Sequence, residues 1–153
     1  MKLAEALLLR SDIQKDLAWV KEQLAKGARV QEGEKPAEDP EELIERAEKR
    51  AGELVTLLVR INVANLKHRD SAGRTLTDLL AQRDALKLKH SIYTSAYAEA
   101  TAVEERYGRS EIRWQRTFDM SAMRQRIGRI STELRELNGG IQQLNWQIDI
   151  EDI

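Results

Sequence analysis

The stretch MSAMRQRIGRISTELRELNGGIQQLNWQI, residues 120–148, determines the predicted fold. Alternating steps of three and four separate its apolar residues, which are Met120, Met123, Ile127, Ile130, Leu134, Leu137, Ile141, Leu144 and Ile148. A mean spacing of about 3.5 residues is typical of a helix that packs along a partner helix through one apolar seam. The stretch therefore predicts a long helix with Asp119 as its N-cap, and the rest of the chain has to supply its partners.

Three earlier segments have helical apolar patterns. The first runs from Leu3 to Lys26, with Arg10 as a polar member of its seam. The second begins with a predicted N-cap at Asp39 and a proline at the first helical position, Pro40. Its predicted seam consists of Ile44, Ala47, Ala51, Leu54, Leu58 and Ile61. The third begins at residues 75–78 and is expected to end near residues 107–108. Its predicted seam consists of Leu76, Leu79, Leu86, Tyr93, Tyr97 and Ala100, and it carries a second apolar stripe of Leu80, Leu88 and Ile92.

Between the third and fourth helices the pattern changes to that of a strand. Residues 110–118 place Ile112, Trp114 and Phe118 at even spacing, which favours a half-buried strand. A strand needs a hydrogen-bonding partner, and the other extended candidate lies near residues 28–36. We therefore expect a mainly α fold: four long helices in an elongated bundle or coiled coil, with a small two-stranded β-ribbon, as a single domain over residues 1–153.

Composition limits the function classes. The chain has no Cys, which excludes disulfides, thiol catalysis and thiolate zinc sites. Its apolar runs are too short for a membrane span, and its short N-terminal run carries Glu5, unlike a signal peptide. A di-iron bundle needs Glu three residues before His, whereas Asn65 precedes His68 and Lys87 precedes His90. We expect a cytoplasmic protein without membrane contact, metal or cofactor.

Polar residues interrupt or flank the seams of the second and third helices. They are Asn62, Asn65, His68, Arg83, Asp84 and His90. They could line a small polar pocket, but single polar seam residues more often fix helix register and oligomeric state. The structural interpretation is favoured.

Charge is distributed in two blocks. Residues 32–48 carry eight acidic residues and two basic ones, whereas residues 106–129 carry seven arginines and two acidic residues. The basic block could bind nucleic acid through phosphate contacts and stacking, using Arg109, Arg113, Trp114, Arg116, Arg124 and Arg126. A net charge of −1 offers little attraction to a polyanion, which favours pairing of the two blocks with each other.

Several stretches, taken together and in order, resemble the family of small bacterial proteins labelled septicolysins. They are MKLAEAL (1–7), VQEGE (30–34), EDP (38–40), GRTLTD (73–78), RD (83–84), RSEI (109–112) and LNW (144–146). The resemblance implies no established activity and no catalytic residues. The label suggests a thiol-activated cytolysin, but the chain has no Cys.

The favoured hypothesis is a non-enzymatic helical scaffold or partner-binding protein that self-associates, with a dimer as the default. Each of the four helices carries one apolar stripe, which is enough to form the core of a single bundle. Additional apolar residues widen two of the helices and would be exposed on a monomer: Leu7, Leu9 and Trp19 on the first, and Leu80, Leu88 and Ile92 on the third. Nucleic-acid binding through residues 106–129 is the alternative. A third possibility is an enzyme with a polar pocket around Asn62, Asn65, Arg83 and Asp84.

Overall fold

The computed structural model describes residues 1–102 and 114–151, and within them the chain is mainly α. Its four helices are α1 (Leu3–Gly27), α2 (Pro40–Lys67), α3 (Leu76–Thr101) and α4 (Met120–Gln147). The prediction of a mainly α chain with four long helices is confirmed. The elongated bundle and the single domain stay predictions, and the expected end of the third helix lies outside the described residues.

The predicted β-ribbon is wrong. Residues 28–36 form no strand; Gly33, with φ +88°, follows a turn residue, and the Glu34 amide donates to the Gln31 carbonyl at 3.0 Å. Residues 114–118 are also irregular, and residues 110–113 lie outside the described part of the chain. A backbone that turns at a left-handed glycine cannot present the extended edge that a ladder requires. Alternation over three apolar residues was too short a signal to predict a strand.

Side-chain caps set the starts of two helices. The Asp39 carboxylate accepts a hydrogen bond from the Glu41 amide at 2.9 Å, and Asp119 accepts from the Ala122 amide at 3.0 Å. Each bond satisfies an amide that the first turn of a helix leaves without an internal partner. The predicted N-caps are confirmed.

The chain folds into two compact units, Met1–Leu76 with Gln142–Ile153, and Thr77–Ile141. The core of the first unit comes from α1, α2 and the segment after α4. Its buried apolar residues are Leu3, Ala4, Ala6, Ile13, Val20, Leu43, Leu57, Ile61, Ala64, Leu76, Ile148 and Ile150. The Leu3 amide donates to the Ile148 carbonyl at 2.9 Å, and the Ile150 amide donates to the Met1 carbonyl at 3.0 Å. These bonds attach the start of α1 to the residues that follow α4.

The predicted seam of α2 is partly wrong. Ile61 is buried as expected, but Ile44 and Ala51 are exposed, and Leu43 and Leu57 are buried instead. Apolar residues occur on almost every side of this helix after residue 50, so periodicity alone allowed more than one choice of buried face. The actual face presents its leucine, isoleucine and alanine side chains to α1.

In the second unit, the seams of α3 and α4 follow the sequence pattern. Leu79, Leu86, Ile130 and Ile141 are buried, and the other predicted seam residues that lie in this unit are partly buried. The second stripe of α3 is not a buried face, because Leu88 and Ile92 are exposed. The fourth helix continues through Gly139 and Gly140 without a break.

Candidate functional site

An ion-pair cluster joins α1 to α2. The Asp16 carboxylate, whose side chain is only 13% exposed, accepts hydrogen bonds from Arg46 Nε at 3.2 Å and Arg50 Nε at 2.9 Å. Arg50 also donates to Glu53 at 2.8 Å, and the Arg46 guanidinium lies 5.0 Å from the centre of the Trp19 ring. Two carboxylates and two guanidinium groups balance each other, so the cluster is an electrically neutral clamp between the helices.

The hydrogen bond from Arg46, supported by Arg50, holds the pKa of Asp16 below its ordinary value. The side chain is therefore ionised at neutral pH, and its oxygens are occupied by donors from α2. A carboxylate held in this way orients the two helices and is a poor general base. We assign the cluster a structural role.

A second polar cluster lies where α2 ends beside the segment that follows α4. Lys67 Nζ donates to the Glu151 carboxylate at 2.7 Å, and Arg60 Nε donates to the Glu151 carbonyl at 2.8 Å. The ion pair with Lys67 lowers the pKa of Glu151. The adjoining cavity, which His68 also lines, has a volume of about 10 Å³. That volume is at the lower limit for one water molecule, so the cavity does not fit a metabolite.

The predicted polar seam residues divide between the two units. On α2, Asn62 is exposed, whereas Asn65 and His68 are partly buried. On α3, Arg83 pairs with its neighbour Asp84 at 3.1 Å, and Asp84 is exposed. The Arg83–Asp84 contact is local to α3. The predicted role in fixing register stays a prediction.

His90 makes the contact that most resembles a catalytic pair. Its Nε2 lies 3.0 Å from Ser131 Oγ on α4, and Thr94 Oγ1 lies 3.5 Å from its Nδ1. The Ser131 hydroxyl is placed to donate to the Ile127 carbonyl at 2.9 Å, and with that bond made the histidine tautomer that carries the Nε2 proton donates to the serine oxygen. A general base would have to accept the serine proton instead. The geometry therefore describes a helix-to-helix hydrogen bond and not an activated nucleophile.

Arg10 interrupts the seam of α1. Its Nε is buried and has no hydrogen-bond partner among the described residues, and the side chain as a whole is partly exposed. An arginine in an apolar seam either interrupts the seam or finds a hydrogen-bonding partner there. The structure favours interruption, at the cost of one unsatisfied donor.

The outward side of α2 is a candidate interaction surface. We define the α2 outer face as the exposed residues between positions 51 and 66: Ala51, Gly52, Val55, Thr56, Val59, Asn62, Val63 and Leu66. At about 100° per residue, these eight positions fall within an arc of about 140°. None of them is charged, although 33% of the chain is.

Large side chains on this face are strongly exposed. Val55 is 63% exposed, Val59 49%, Val63 44% and Leu66 62%. An isolated exposed apolar side chain needs no explanation, but a contiguous row marks an interaction surface. The row lies opposite the residues of α2 that pack on α1, so the helix has two apolar sides.

The residues proposed for nucleic-acid contact are placed only in part. Arg109 and Arg113 lie outside the described residues. Trp114 is 80% exposed, and Arg124 and Arg126 are exposed on α4. Arg116 Nε donates to the Ala100 carbonyl at 3.0 Å, which ties residue 116 to the end of α3.

Two kinds of feature are absent from the described residues. In residues 1–102 and 114–151, no group of three or more His, Asp or Glu side chains is arranged to hold a metal ion. Among the same residues, no helix combines the length and apolar character needed to cross a membrane.

Sequence reasoning missed both the Asp16 clamp and the α2 outer face. Arg46 and Arg50 are four residues apart and share one side of α2, which is a usable signal for a common acidic partner. The outer face could have been found as the sixteen-residue stretch of α2 in which one side has no charged residue. The seam prediction instead assigned Ala51 of this face to the core.

Comparisons with known proteins agree on the fold and leave the activity open. The model of a family of unknown function, DUF6847, matches residues 10–150. A crystal structure of a functionally unknown conserved protein from Corynebacterium diphtheriae is 37% identical, with 99% of each chain covered and a TM-score of 0.92. A search of curated proteins found no match. The septicolysin resemblance stays a prediction, and the chain belongs to the DUF6847 family.

Proposed function

We propose that this protein is a non-enzymatic, self-associating helical scaffold or partner-binding protein that works in the cytoplasm. The single observation that supports the proposal is the α2 outer face. The eight exposed positions of α2 between residues 51 and 66 lie on one side of the helix and carry no charge, in a chain where one residue in three is charged. Such a face loses unfavourable contact with water when another protein surface covers it.

The polar contacts of the protein also support a structural role. Asp16 binds two arginines across helices, and Asp70 accepts hydrogen bonds from the Ala72 and Arg74 amides within a turn. The bond from the Arg74 amide contributes most to lowering the pKa of Asp70. His90 and Ser131 share a hydrogen bond. In each case the group that could perform acid, base or nucleophilic chemistry is engaged in holding backbone or helices in place.

Sedimentation equilibrium tests the self-association. The expected result is a mass above the 17.5 kDa of one chain at micromolar concentration, falling towards that mass on dilution. A mass of one chain over the whole range, up to the solubility limit, would contradict self-association.

Nucleic-acid binding is the second candidate, and the exposure of Trp114 is the observation that favours it. An exposed indole in an arginine-rich stretch can stack on a base while arginines contact phosphates. The test is fluorescence anisotropy of a labelled single-stranded oligonucleotide at several salt concentrations. Binding that weakens with salt and is lost in Trp114→Ala, but kept in Trp146→Ala as the control, would support this candidate.

A further inference from the structure

The α2 outer face has features that specify which surface covers it. It is about 22 Å long, from residue 51 to residue 66. Its side chains are short except for Leu66 at one end, and Gly52 lies at the other end. Short side chains allow two helix axes to approach to about 8 Å. A long side chain at one end and a glycine at the other complement each other when two such faces meet in opposite directions.

Charges at the two ends of the face point to the same arrangement. Beyond its N-terminal end, exposed Glu45 and Glu48 continue along α2. Beyond its C-terminal end lie exposed Lys67, which already pairs with Glu151, and exposed Arg69, which donates to the Gly73 carbonyl. Two copies of α2 in parallel would place acids against acids, whereas two antiparallel copies place acids against bases. The helix dipoles also favour the antiparallel arrangement.

We propose that the occupant of the α2 outer face is the same face of a second copy of this chain, packed antiparallel across a two-fold axis that passes near Val59. This inference rests on the proposed function, because it specifies the surface through which the scaffold self-associates. Val59 lies in the middle of the face, so the two-fold brings Val59 towards its own copy. The same operation brings Leu66 towards Gly52, and Glu48 towards Arg69, of the other copy.

The size of the face indicates a reversible dimer. A helix face of this length offers on the order of 500 Å² of surface from each copy, which places the pair at the low end of specific interfaces. The contact is self-complementary, so it closes at two copies and does not extend into a fibre.

Substitution of Val59 by lysine tests the surface. Val59 is half-exposed within one chain, so Val59→Lys should leave the circular dichroism spectrum of the helices unchanged. In the dimer it would place two like charges close to the axis, and we expect the dissociation constant to rise at least about 100-fold. The matched control is Leu88→Lys, which makes the same kind of change at an exposed residue of α3 and should leave the dissociation constant unchanged.

Single cysteines test the direction of packing, since the natural chain has none. Under mild oxidation, Val59→Cys should form a covalent dimer. Leu66→Cys should not, because in an antiparallel pair residue 66 lies roughly 20 Å from its own copy, far beyond the reach of a disulfide. Equal cross-linking at both positions would indicate parallel packing and would overturn the inference.

A charge exchange provides a rescue experiment. Glu48→Lys and Arg69→Glu should each raise the dissociation constant, and the double variant should restore it towards the natural value. A double variant no better than the worse single variant would contradict the pairing of these two ends.

The results separate this inference from the proposed function. If the natural chain has the mass of one copy throughout, self-association fails and the inference fails with it. If the natural chain is a dimer that Val59→Lys leaves intact, only the inference fails. If Leu88→Lys breaks that dimer, the contact surface is α3.

Discussion

The two sides of α2 are both apolar, yet one packs on α1 and the other is exposed. The buried side carries Leu43, Leu57, Ile61 and Ala64. The exposed side carries valines, small residues and one leucine, Leu66. Longer side chains reach further into a neighbouring helix and bury more area, so the leucine and isoleucine side gains more from contact with α1. Hydrophobic character alone does not decide which side of a helix forms the core.

Electrostatic contacts also favour packing the leucine and isoleucine side of α2 on α1. Arg46 and Arg50 lie on the side of α2 next to α1, where both reach Asp16. Rotating α2 to bury its valines would separate these arginines from Asp16. Between positions 51 and 66 the exposed side has no charged residue that could form an equivalent contact. The rotation of α2 is therefore set by side-chain length and by one ionic clamp acting together.

The largest expected effect comes from truncating one leucine on each side of α2. Leu57→Ala should lower the free energy of unfolding by about 2–5 kcal/mol, because it leaves a cavity in the core. Leu66→Ala makes the same chemical change on the exposed side and should change it by less than about 0.5 kcal/mol. Urea denaturation at concentrations where the chain is monomeric measures both. Equal losses would mean that the two sides of α2 do not differ in burial.

The next largest effect concerns the N-terminal cap of α2, the helix that carries both apolar sides. Asp39→Ala should lower the free energy of unfolding by about 0.5–2 kcal/mol, because the Glu41 amide loses its acceptor. The neighbouring exposed Glu38→Ala is the control. Thermal melting of the two variants gives the comparison, and an unchanged melting temperature for Asp39→Ala would contradict the cap.

A smaller change, an increase in the free energy of unfolding, is expected for a substitution in α1. Arg10→Met removes a buried donor that has no partner among the described residues, and arginine and methionine have similar helix propensities. We expect the free energy of unfolding to rise by about 1 kcal/mol. Lys21→Met, an exposed position on the same helix, should change it little. A loss of stability in Arg10→Met would show that the arginine makes a contact worth more than the packing it prevents.

The smallest expected effect is on acid sensitivity. Because Arg46 and Arg50 hold the pKa of Asp16 below 3.8, Asp16 binds a proton more weakly in the folded chain than in the unfolded one. Its contribution to stability is therefore complete above its unfolded pKa and is lost as the pH falls through its lower, folded value. Asp16→Asn should make the stability less dependent on pH below about pH 4.

Asp12→Asn is the matched control for Asp16, because the Asp12 side chain is 72% exposed and lies 3.5 Å from Lys15 on the same helix. Its acid dependence should stay close to that of the natural chain. Chemical denaturation at a series of pH values compares the two. If the free energy of unfolding depends on pH in the same way in both variants, the clamp does not stabilise the fold.

Periodicity predicted α4 well, because it has one apolar side and mostly polar residues opposite, whereas in α3 it also predicted a second stripe, of which Leu88 and Ile92 are exposed. In α4 all nine predicted apolar residues, from Met120 to Ile148, are buried or partly buried. The same reasoning failed for α2, where Val55, Leu57, Leu58 and Val59 follow each other closely and several seams fit equally well. Choosing among them required knowing where α1 lies.

The predicted ribbon failed for a related reason. Ile112, Trp114 and Phe118 alternate, but a ladder is a contact between two distant segments, and nothing in either segment specifies the other. The Asp16 clamp was missed for the same reason, since it joins residues about 30 positions apart in sequence. Local signals, such as the caps at Asp39 and Asp119, were predicted because their partners are two or three residues away.

The bonds between Leu3 and Ile148 and between Ile150 and Met1 have a consequence for the order of folding. The first unit is discontinuous, with residues 77–141 placed between its two parts. A ribosome releases α1 and α2 early, so these helices can pair while most of the chain is still unmade. Their remaining contacts form only after residues 148–150 emerge. Contacts of such long sequence separation slow folding, so we expect the apolar start of α1 to stay incompletely covered until the end of translation.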